Sequence, residues 1–105
     1  MVPIRWLRNA LGNVQSIHAY YIDEGSQKTA RVVCQLIVKT VNQLKEFPNL
    51  GRIGRVSGTR ELVVPKTPYL VIYREVSLNR REARGATREV QILRILHSSQ
   101  KWPIC

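Results

Sequence analysis

Apolar positions recur along this chain in two different rhythms, and the change of rhythm separates strands from helices. Residues 2–7 alternate between two faces, as a β-strand does, and Pro3 suits a first or edge-strand position. Residues 10–24 carry apolar side chains at helical spacing, which predicts an amphipathic helix with Asn9 as its N-cap. The apolar stripe of this helix consists of Leu11, Val14, Ile17, His18, Tyr21 and Ile22.

A second helix is predicted from residue 27 to about residue 46. Gly25 ends the first helix, Ser26 caps the second, and Pro48 stops it. Because the link between the helices is so short, we expect them to lie side by side as an antiparallel hairpin. The stripe of the second helix consists of Ala30, Val33, Cys34, Ile37, Val41 and Leu44.

The second half of the chain returns to the strand rhythm. Residues 47–59 are broken by proline and glycine and are typical of a loop. Strands are predicted at 60–64, 69–76 and 89–96, and a long polar connection at 77–88 separates the last two. The strand at 69–76 is apolar on both faces, which favours a central position in the sheet.

This order, β-α-α-β-β-β, predicts a single α+β domain over residues 1–105. The last three strands can pair as an antiparallel meander, and the first strand must return beside them after the helical hairpin. Both helical stripes need a cover, and the sheet offers it. We therefore expect a helical hairpin packed on one face of a small, mainly antiparallel, four-stranded sheet.

Charge is the strongest compositional signal. Lys and Arg total 17 against 7 acidic residues, a formal net charge of +10. Residues 1–50 hold 6 basic and 3 acidic side chains, a net of +3, whereas residues 51–105 hold 11 and 4, a net of +7. Such a one-sided field attracts polyanions and speeds association with them. The expected partners are nucleic acid, a ribosome, a nucleic-acid enzyme or an acidic protein; the alternative is a basic surface that confers only solubility.

Several other classes lack support in the sequence. No apolar run approaches the length of a membrane span, and charge within M-V-P-I-R-W-L-R argues against a signal peptide, so we expect a cytoplasmic protein. Cys34 and Cys105 have no spacing motif that indicates a disulfide framework. His18 and His97 have no clustered partners at metal-ligand spacing. We expect neither a metal nor another cofactor.

The basic side chains of the second half are candidate contacts for a polyanion or a target protein. Arg52 and Arg55 flank Gly54, where backbone amides and guanidinium groups can hold phosphate oxygens; the alternative is a solvated basic turn. Arg60 opens a strand, and Arg74 and Arg94 fall in its neighbourhood if the strands pair in simple register. The alternative for Arg60 is an ion pair with a glutamate.

His97 stands where the last predicted strand ends. An imidazole there is a candidate general acid or base near neutral pH, with Arg94 or Lys101 to stabilise developing phosphate charge. The alternative is a histidine that caps or packs the strand end, because no carboxylate or tyrosine partner is evident in the sequence. Trp102 is a candidate for stacking on a base or for a protein interface, although a tryptophan in a tail more often closes the edge of a core.

Four segments carry a resemblance to a known family: F-P-N-L-G-R at 47–52, G-T-R-E-L-V-V at 58–64, P-Y-L-V-I-Y-R at 68–74 and I-L-R-I-L-H at 92–97. In this order, after a helical hairpin, they resemble the small toxins of the RelE/ParE superfamily, and the ParE-like branch in particular. The resemblance extends over about residues 3–103. It implies a plasmid- or chromosome-borne toxin that is neutralised when a disordered segment of its cognate antitoxin wraps around it.

Two mechanisms occur in this superfamily: RelE-like members cut mRNA on the ribosome, and ParE-like members poison DNA gyrase. Where the RelE-like nuclease branch carries an arginine in the middle strand, this chain has Leu70, and Ser98 follows His97 where a tyrosine would complete the nuclease pair. The resemblance therefore favours a toxin that poisons DNA gyrase. The alternatives are a ribosome-dependent mRNA endonuclease using His97 with Arg60 and Arg94, and a non-catalytic basic binding module.

Overall fold

The computed structural model describes residues 1–79, 87–100 and 102. Its elements follow the predicted order, with one addition in the loop after the second helix. They are β1 (Ile4–Trp6), α1 (Arg8–Asp23), α2 (Gln27–Asn42), a short 3-10 turn (Gln43–Lys45), β2 (Arg52–Ile53), β3 (Arg60–Val63), β4 (Tyr69–Ser77) and β5 (Arg88–His97).

The helix α1 begins earlier than its sequence indicates. Leu7, not Asn9, is the N-cap residue, and its side chain makes no capping hydrogen bond. The Leu7 N–H donates to the Ile92 carbonyl at 3.0 Å, while the Leu7 carbonyl accepts from the Leu11 N–H at 3.1 Å. The strand pairing thus sets the backbone of Leu7 and starts the helix directly after β1. The predicted Asn9 cap is wrong because the pairing of the chain with β5 extends to Leu7, and the helix starts directly after it.

The junction between the helices follows the sequence prediction. Gly25 adopts a positive φ of 87°, a conformation that glycine tolerates and other residues avoid. The Ser26 hydroxyl then accepts a hydrogen bond from the Thr29 N–H at 3.1 Å, which confirms the predicted N-cap of α2. The helix itself ends at Asn42, and the single 3-10 turn carries the chain toward Pro48.

The sheet has five strands in the order β1-β5-β4-β3-β2. The first strand pairs in parallel with β5, and the other neighbours are antiparallel. The prediction of four strands misses β2, since the backbone of Arg52–Ile53 pairs with β3 although its sequence is broken by glycines. The central position of β4 is confirmed. Residues 80–86 of the predicted connection at 77–88 lie outside the described residues.

The helical hairpin covers one face of the sheet. Tyr69, Val71 and Tyr73 project from β4 toward it and are buried with side chains of both helices. Full burial of each large apolar side chain contributes about 1.5–3 kcal/mol, so this face supplies much of the driving force for folding. Five residues of the predicted α2 stripe are buried, namely Ala30, Val33, Ile37, Val41 and Leu44.

The predicted stripe of α1 is only partly buried. Ile17 is in the core, joined by Ala10, and Val14 and Tyr21 pack against it. By contrast, 49% of Leu11 and 37% of Ile22 are exposed. The sheet-facing side of α1 is therefore rotated toward Ala10 and Asn13, and the Asn13 side-chain oxygen accepts a hydrogen bond from the Ile95 N–H at 3.0 Å. This contact lies close to a register shift in the pairing of β4 with β5.

The Tyr73 hydroxyl joins the sheet to the segment that follows α2. It donates to the Pro48 carbonyl and accepts from the Gly51 N–H, both at 2.8 Å. The Arg60 guanidinium donates to the Gly51 carbonyl at 2.8 Å. A Cβ atom at position 51 would lie 2.8 Å from the Tyr73 ring, so only glycine lets the backbone approach this closely.

We expect Tyr73→Phe to lower the free energy of unfolding by about 1–3 kcal/mol, because it leaves the buried Gly51 N–H without its acceptor and the Pro48 carbonyl without its donor. Urea denaturation followed by circular dichroism measures the change. The matched control is Tyr20→Phe, which removes a hydroxyl from a side chain that is 55% exposed. The control is expected to stay within about 0.5 kcal/mol of the wild type. Equal losses in the two variants would contradict this role for Tyr73.

Candidate functional site

The loop arginines Arg52 and Arg55 converge on one buried carboxylate. Glu61 is 3% exposed and accepts from the Arg52 guanidinium at 3.0 Å and from the Arg55 N–H at 3.1 Å. Burial alone would raise the pKa of the Glu61 carboxyl, but the two hydrogen bonds and the charges of Arg52 and Arg55 outweigh it and lower that pKa. Arg52 thus has a structural partner, while the Arg55 side chain is exposed and contributes only its backbone to this contact.

Arg60 lies on the face of the sheet that carries the helices. Its register partner is Tyr73, and its guanidinium donates to the Gly51 carbonyl rather than to a glutamate. A small open cavity lies beside it, bounded also by Glu75 and Arg88, whose side chains pair at 3.1 Å. The ion pair considered for Arg60 in the sequence is therefore not formed among the described residues.

Arg74 and Arg94 lie on the opposite face of the sheet. Arg94 is the register partner of Ile72, and Arg74 that of Gln91. The Arg74 Nε atom donates to the Gln91 side-chain oxygen at 2.9 Å, whereas the half-buried Arg94 has no ion pair with any described residue. These two cations therefore share a face with each other but not with Arg60.

His97 is the register partner of Tyr69, and their rings contact edge to face with centroids 5.7 Å apart. The Nδ1 atom of His97 lies 3.1 Å from the Ser99 N–H, which donates to it, and 2.7 Å from the Ser99 hydroxyl. Because a backbone N–H can only donate, Nδ1 accepts, and the proton of the neutral ring is on Nε2. His97 thus anchors the turn that follows β5, and its Nε2–H has no hydrogen-bond partner among the described residues.

The three residues considered for nuclease chemistry are spread over the sheet. Arg60 and His97 share the helix-bearing face, but their partners Tyr73 and Tyr69 are separated by four residue steps along β4. At roughly 3.3 Å per residue this amounts to about 13 Å. Arg94 lies on the other face. Of the two tail residues considered, Trp102 is half-buried and its indole nitrogen has no hydrogen-bond partner among the described residues, and Lys101 lies outside them.

Tyrosines near His97 are the residues that sequence reasoning missed. Tyr69 lies against the imidazole, and the Tyr69 hydroxyl is 3.4 Å from the Tyr21 hydroxyl of α1. Tyr20 lies beside Tyr21, with ring centroids 5.0 Å apart. The sequence predicts that the strands at 69–76 and 89–96 pair. Their register, which the structure supplies, then sets position 69 opposite position 97.

A groove runs along the outer side of the helical hairpin, away from the sheet. We call it the helical groove; its volume is about 650 Å³, and among the described residues it includes the basic side chains Arg31 and Lys39 but no carboxylate. Val38 also borders a second, more apolar depression with Leu11 and Trp6. The other residues of the helical groove are His18, Gln27, Cys34, Gln35, Val38 and Asn42.

In the described part of the chain, no helix is both long and apolar enough to cross a bilayer. The same residues contain no group of three or more histidine, cysteine, aspartate or glutamate side chains arranged to hold a metal ion.

Comparison with known proteins gives one consistent result. The family model of the ParE toxin of type II toxin-antitoxin systems, parDE, matches residues 4–102. A curated protein of Sinorhizobium fredii (strain NBRC 101917 / NGR234), named "Putative toxin Y4kP", is 38% identical over 100 residues, which are 95% of this chain and 92% of that protein. A solved structure described as "Chromosomal ParDE TA system from P. aeruginosa" has a TM-score of 0.77 and 28% identity, covering 92% of this chain and 96% of its own. The similarity therefore extends over nearly the whole fold.

We expect the stability of the protein to fall in acid through Glu61. Its lowered pKa means that the folded state favours the ionised carboxylate, so the stabilisation is present above the ordinary value of 4.5 and is lost as pH falls below it. Glu61→Gln should lower the free energy of unfolding at neutral pH by about 1–3 kcal/mol and flatten its dependence on pH below 4.5.

Urea denaturation at a series of pH values measures this effect. Glu46→Gln is the control, because it removes the same charge from an exposed side chain. This control should keep the wild-type loss of stability in acid. A Glu61→Gln variant with the wild-type acid dependence would contradict the proposed role of the carboxylate.

Proposed function

Because the chain belongs to the ParE toxin family of type II toxin-antitoxin systems, we propose that it arrests growth by poisoning DNA gyrase and that a cognate antitoxin neutralises it in the cytoplasm. Family membership establishes the class of protein, and gyrase as the target is the further step that we propose. The observation that carries this step is the separation of Arg60, Arg94 and His97 across the sheet.

Ribonucleolytic chemistry needs an acid–base group and a cationic group within reach of one phosphate. The offset of about 13 Å along β4 between Arg60 and His97, their positions on the two strands that flank β4, and the opposite-face position of Arg94 argue against such a shared site. Leu70 contributes no charge at the middle-strand position where the nuclease branch has an arginine. A toxin that binds its target, rather than one that cuts RNA, fits this arrangement.

The basic second half of the chain supplies the contact with gyrase and its DNA in this proposal. Arg74 and Arg94 share the face of the sheet that the helices leave uncovered, and Arg55 is exposed in the loop before β3. Cationic side chains arranged in this way favour association with an anionic surface. They raise the association rate more than they lengthen the lifetime of the complex.

The helical groove is the proposed site of the antitoxin. It joins apolar contact area at Val38 and Cys34 to the cations Arg31 and Lys39, and no carboxylate of a described residue lines it. Such a surface suits an acidic amphipathic segment that folds as it binds. A toxin–antitoxin hetero-oligomer follows from this proposal.

A second candidate, a ribosome-dependent mRNA endonuclease, has one observation in its favour. The His97 Nε2–H has no partner in the part of the chain that the structure describes, and the imidazole lies near three tyrosines, so an acid–base group with phenolic neighbours is present. This candidate lacks a cation in direct contact with the imidazole among the described residues. The third candidate, a basic binding module without toxicity, is separated from both by the presence or absence of growth arrest.

We expect the purified protein, mixed with gyrase, ATP and plasmid, to inhibit supercoiling and to trap linear DNA in cleavage complexes. Reversing two charges with Arg74→Glu and Arg94→Glu should raise the protein concentration needed to inhibit supercoiling about tenfold. This corresponds to a loss of about 1.4 kcal/mol of binding free energy. The matched control is the pair Lys28→Glu and Lys45→Glu, which changes the net charge equally through two exposed helical residues. His97→Ala should remain a gyrase poison, since no proton transfer is assigned to it.

The opposite result would move the assignment to the ribosome. If gyrase is untouched while ribosome-bound mRNA is cleaved, and His97→Ala abolishes that cleavage and the growth arrest together, the gyrase proposal is wrong. If the two double variants lose potency equally, net charge rather than the sheet face of Arg74 and Arg94 governs the contact.

A further inference from the structure

Four ring side chains and one hydroxyl enclose a small cavity at the end of the sheet. Tyr20 and Tyr21 come from the last turns of α1, Tyr69 from the start of β4, and His97 and Ser99 from the end of β5 and the turn after it. The cavity has a volume of about 300 Å³ and opens to solvent. We call it the aromatic cavity. Neither the gyrase contact nor the antitoxin groove described above uses it.

The rings form two perpendicular pairs. Tyr20 and Tyr21 meet at 81° and Tyr69 and His97 at 88°, and the hydroxyls of Tyr21 and Tyr69 lie 3.4 Å apart between the pairs. In a perpendicular pair only one ring turns its face to the other, so faces are left for a third ring. Tyr20 is 55% exposed although it is a large aromatic residue. The arrangement offers stacking surface at the mouth of the cavity.

The polar groups of the cavity include hydrogen-bond donors. The backbone contact with Ser99 sets the tautomer of His97, so that the neutral ring carries its proton on Nε2. Burial, assisted by the hydrogen bond with Tyr21, raises the pKa of the Tyr69 hydroxyl. The Tyr20 hydroxyl has no hydrogen-bond partner among the described residues. A flat, neutral ligand with acceptor atoms on its edge matches these groups.

The charge of the protein determines which flat ligands the cavity favours. The net charge of +10 opposes a cation and attracts a polyanion. Lys66 lies in the turn just before Tyr69, at the same end of the sheet. Asp23 and Glu24 follow the two tyrosines along the chain but do not line the cavity. A neutral ring attached to a phosphate backbone satisfies both the stacking surface and the field.

We propose that the aromatic cavity binds one unpaired base of a single-stranded nucleic acid. The base stacks on Tyr20, its edge accepts hydrogen bonds from the His97 Nε2–H and from the Tyr21 hydroxyl, which itself accepts from Tyr69, and the flanking phosphates lie toward the basic surface. Base–aromatic stacking of this kind tolerates any base, because every base has a ring face. The inference goes beyond the gyrase proposal and does not depend on it.

The test compares two oligonucleotides of about ten nucleotides that share the same phosphate backbone. One is oligothymidylate, and the other carries abasic sites in place of every base. Fluorescence anisotropy with the full-length protein measures both affinities. Phosphate attraction is common to the two probes, so the difference isolates the base. We expect the base-bearing strand to bind roughly five- to hundredfold more tightly.

The variants assign that difference to the cavity. Tyr20→Ala should remove most of it while leaving the affinity for the abasic strand unchanged, and Tyr20→Phe, which keeps the ring, should retain at least the stacking part. Lys66→Ala should weaken both probes by the same factor, since it removes only charge. Tyr20 is exposed and lies outside the core cluster, so folding is expected to survive its replacement.

Two results would overturn the proposal. Equal affinity of the wild type for the two probes would show that bases add nothing, and the cavity would then be left to a protein side chain. A Tyr20→Ala variant that retains the full difference would place the base elsewhere. Because the assay contains no gyrase, neither result bears on the gyrase proposal, and a failed gyrase assay leaves this measurement intact.

Discussion

The hydroxyl of Tyr73 is the contact on which the arrangement of the second half depends. The side chain is fully buried in the central strand, and its hydroxyl is satisfied on both sides by the backbone at Pro48 and Gly51. That pair of hydrogen bonds positions the chain after α2 so that Arg52–Ile53 can pair with β3. The same approach brings Arg52 to Glu61, and the Gly51 carbonyl to Arg60. A buried polar group is costly unless it is satisfied, so this network specifies one position for the loop.

Some basic side chains of the protein form ion pairs within the fold, and others form none among the described residues. Arg52 is neutralised locally by Glu61, and Arg88 by Glu75. Arg55 and Arg94 have no such ion pair among the described residues, and they lie on surfaces that the helices do not cover. Cations that form no ion pair within the described part of the chain attract an anionic surface. They do not by themselves supply the close grouping of acid, base and cation that phosphodiester cleavage requires.

The sequence predicted some features of the candidate site and missed others, because several of them depend on strand register and helix packing. The sequence predicts His97 at the end of the last strand, and His97 is the last residue of β5. Its surroundings were not predictable, because the contact with Tyr69 depends on the register of β4 with β5 and the contact of Tyr69 with Tyr21 depends on how α1 packs. The expectation that Arg74 and Arg94 would lie near Arg60 assumed a simple register. Alternation along the paired strands instead separates them onto two faces.

Local patterns determined the element order, the helical hairpin and the central strand, because hydrophobic periodicity and glycine or serine at a helix end act over a few residues. Gly25 and Ser26 perform in the structure the tasks that their types predict. The tertiary structure decided the start of α1 at Leu7, the second strand at Arg52–Ile53 and the aromatic cavity around His97. Each of these depends on a partner far away in the chain, and no short-range pattern encodes the identity of that partner.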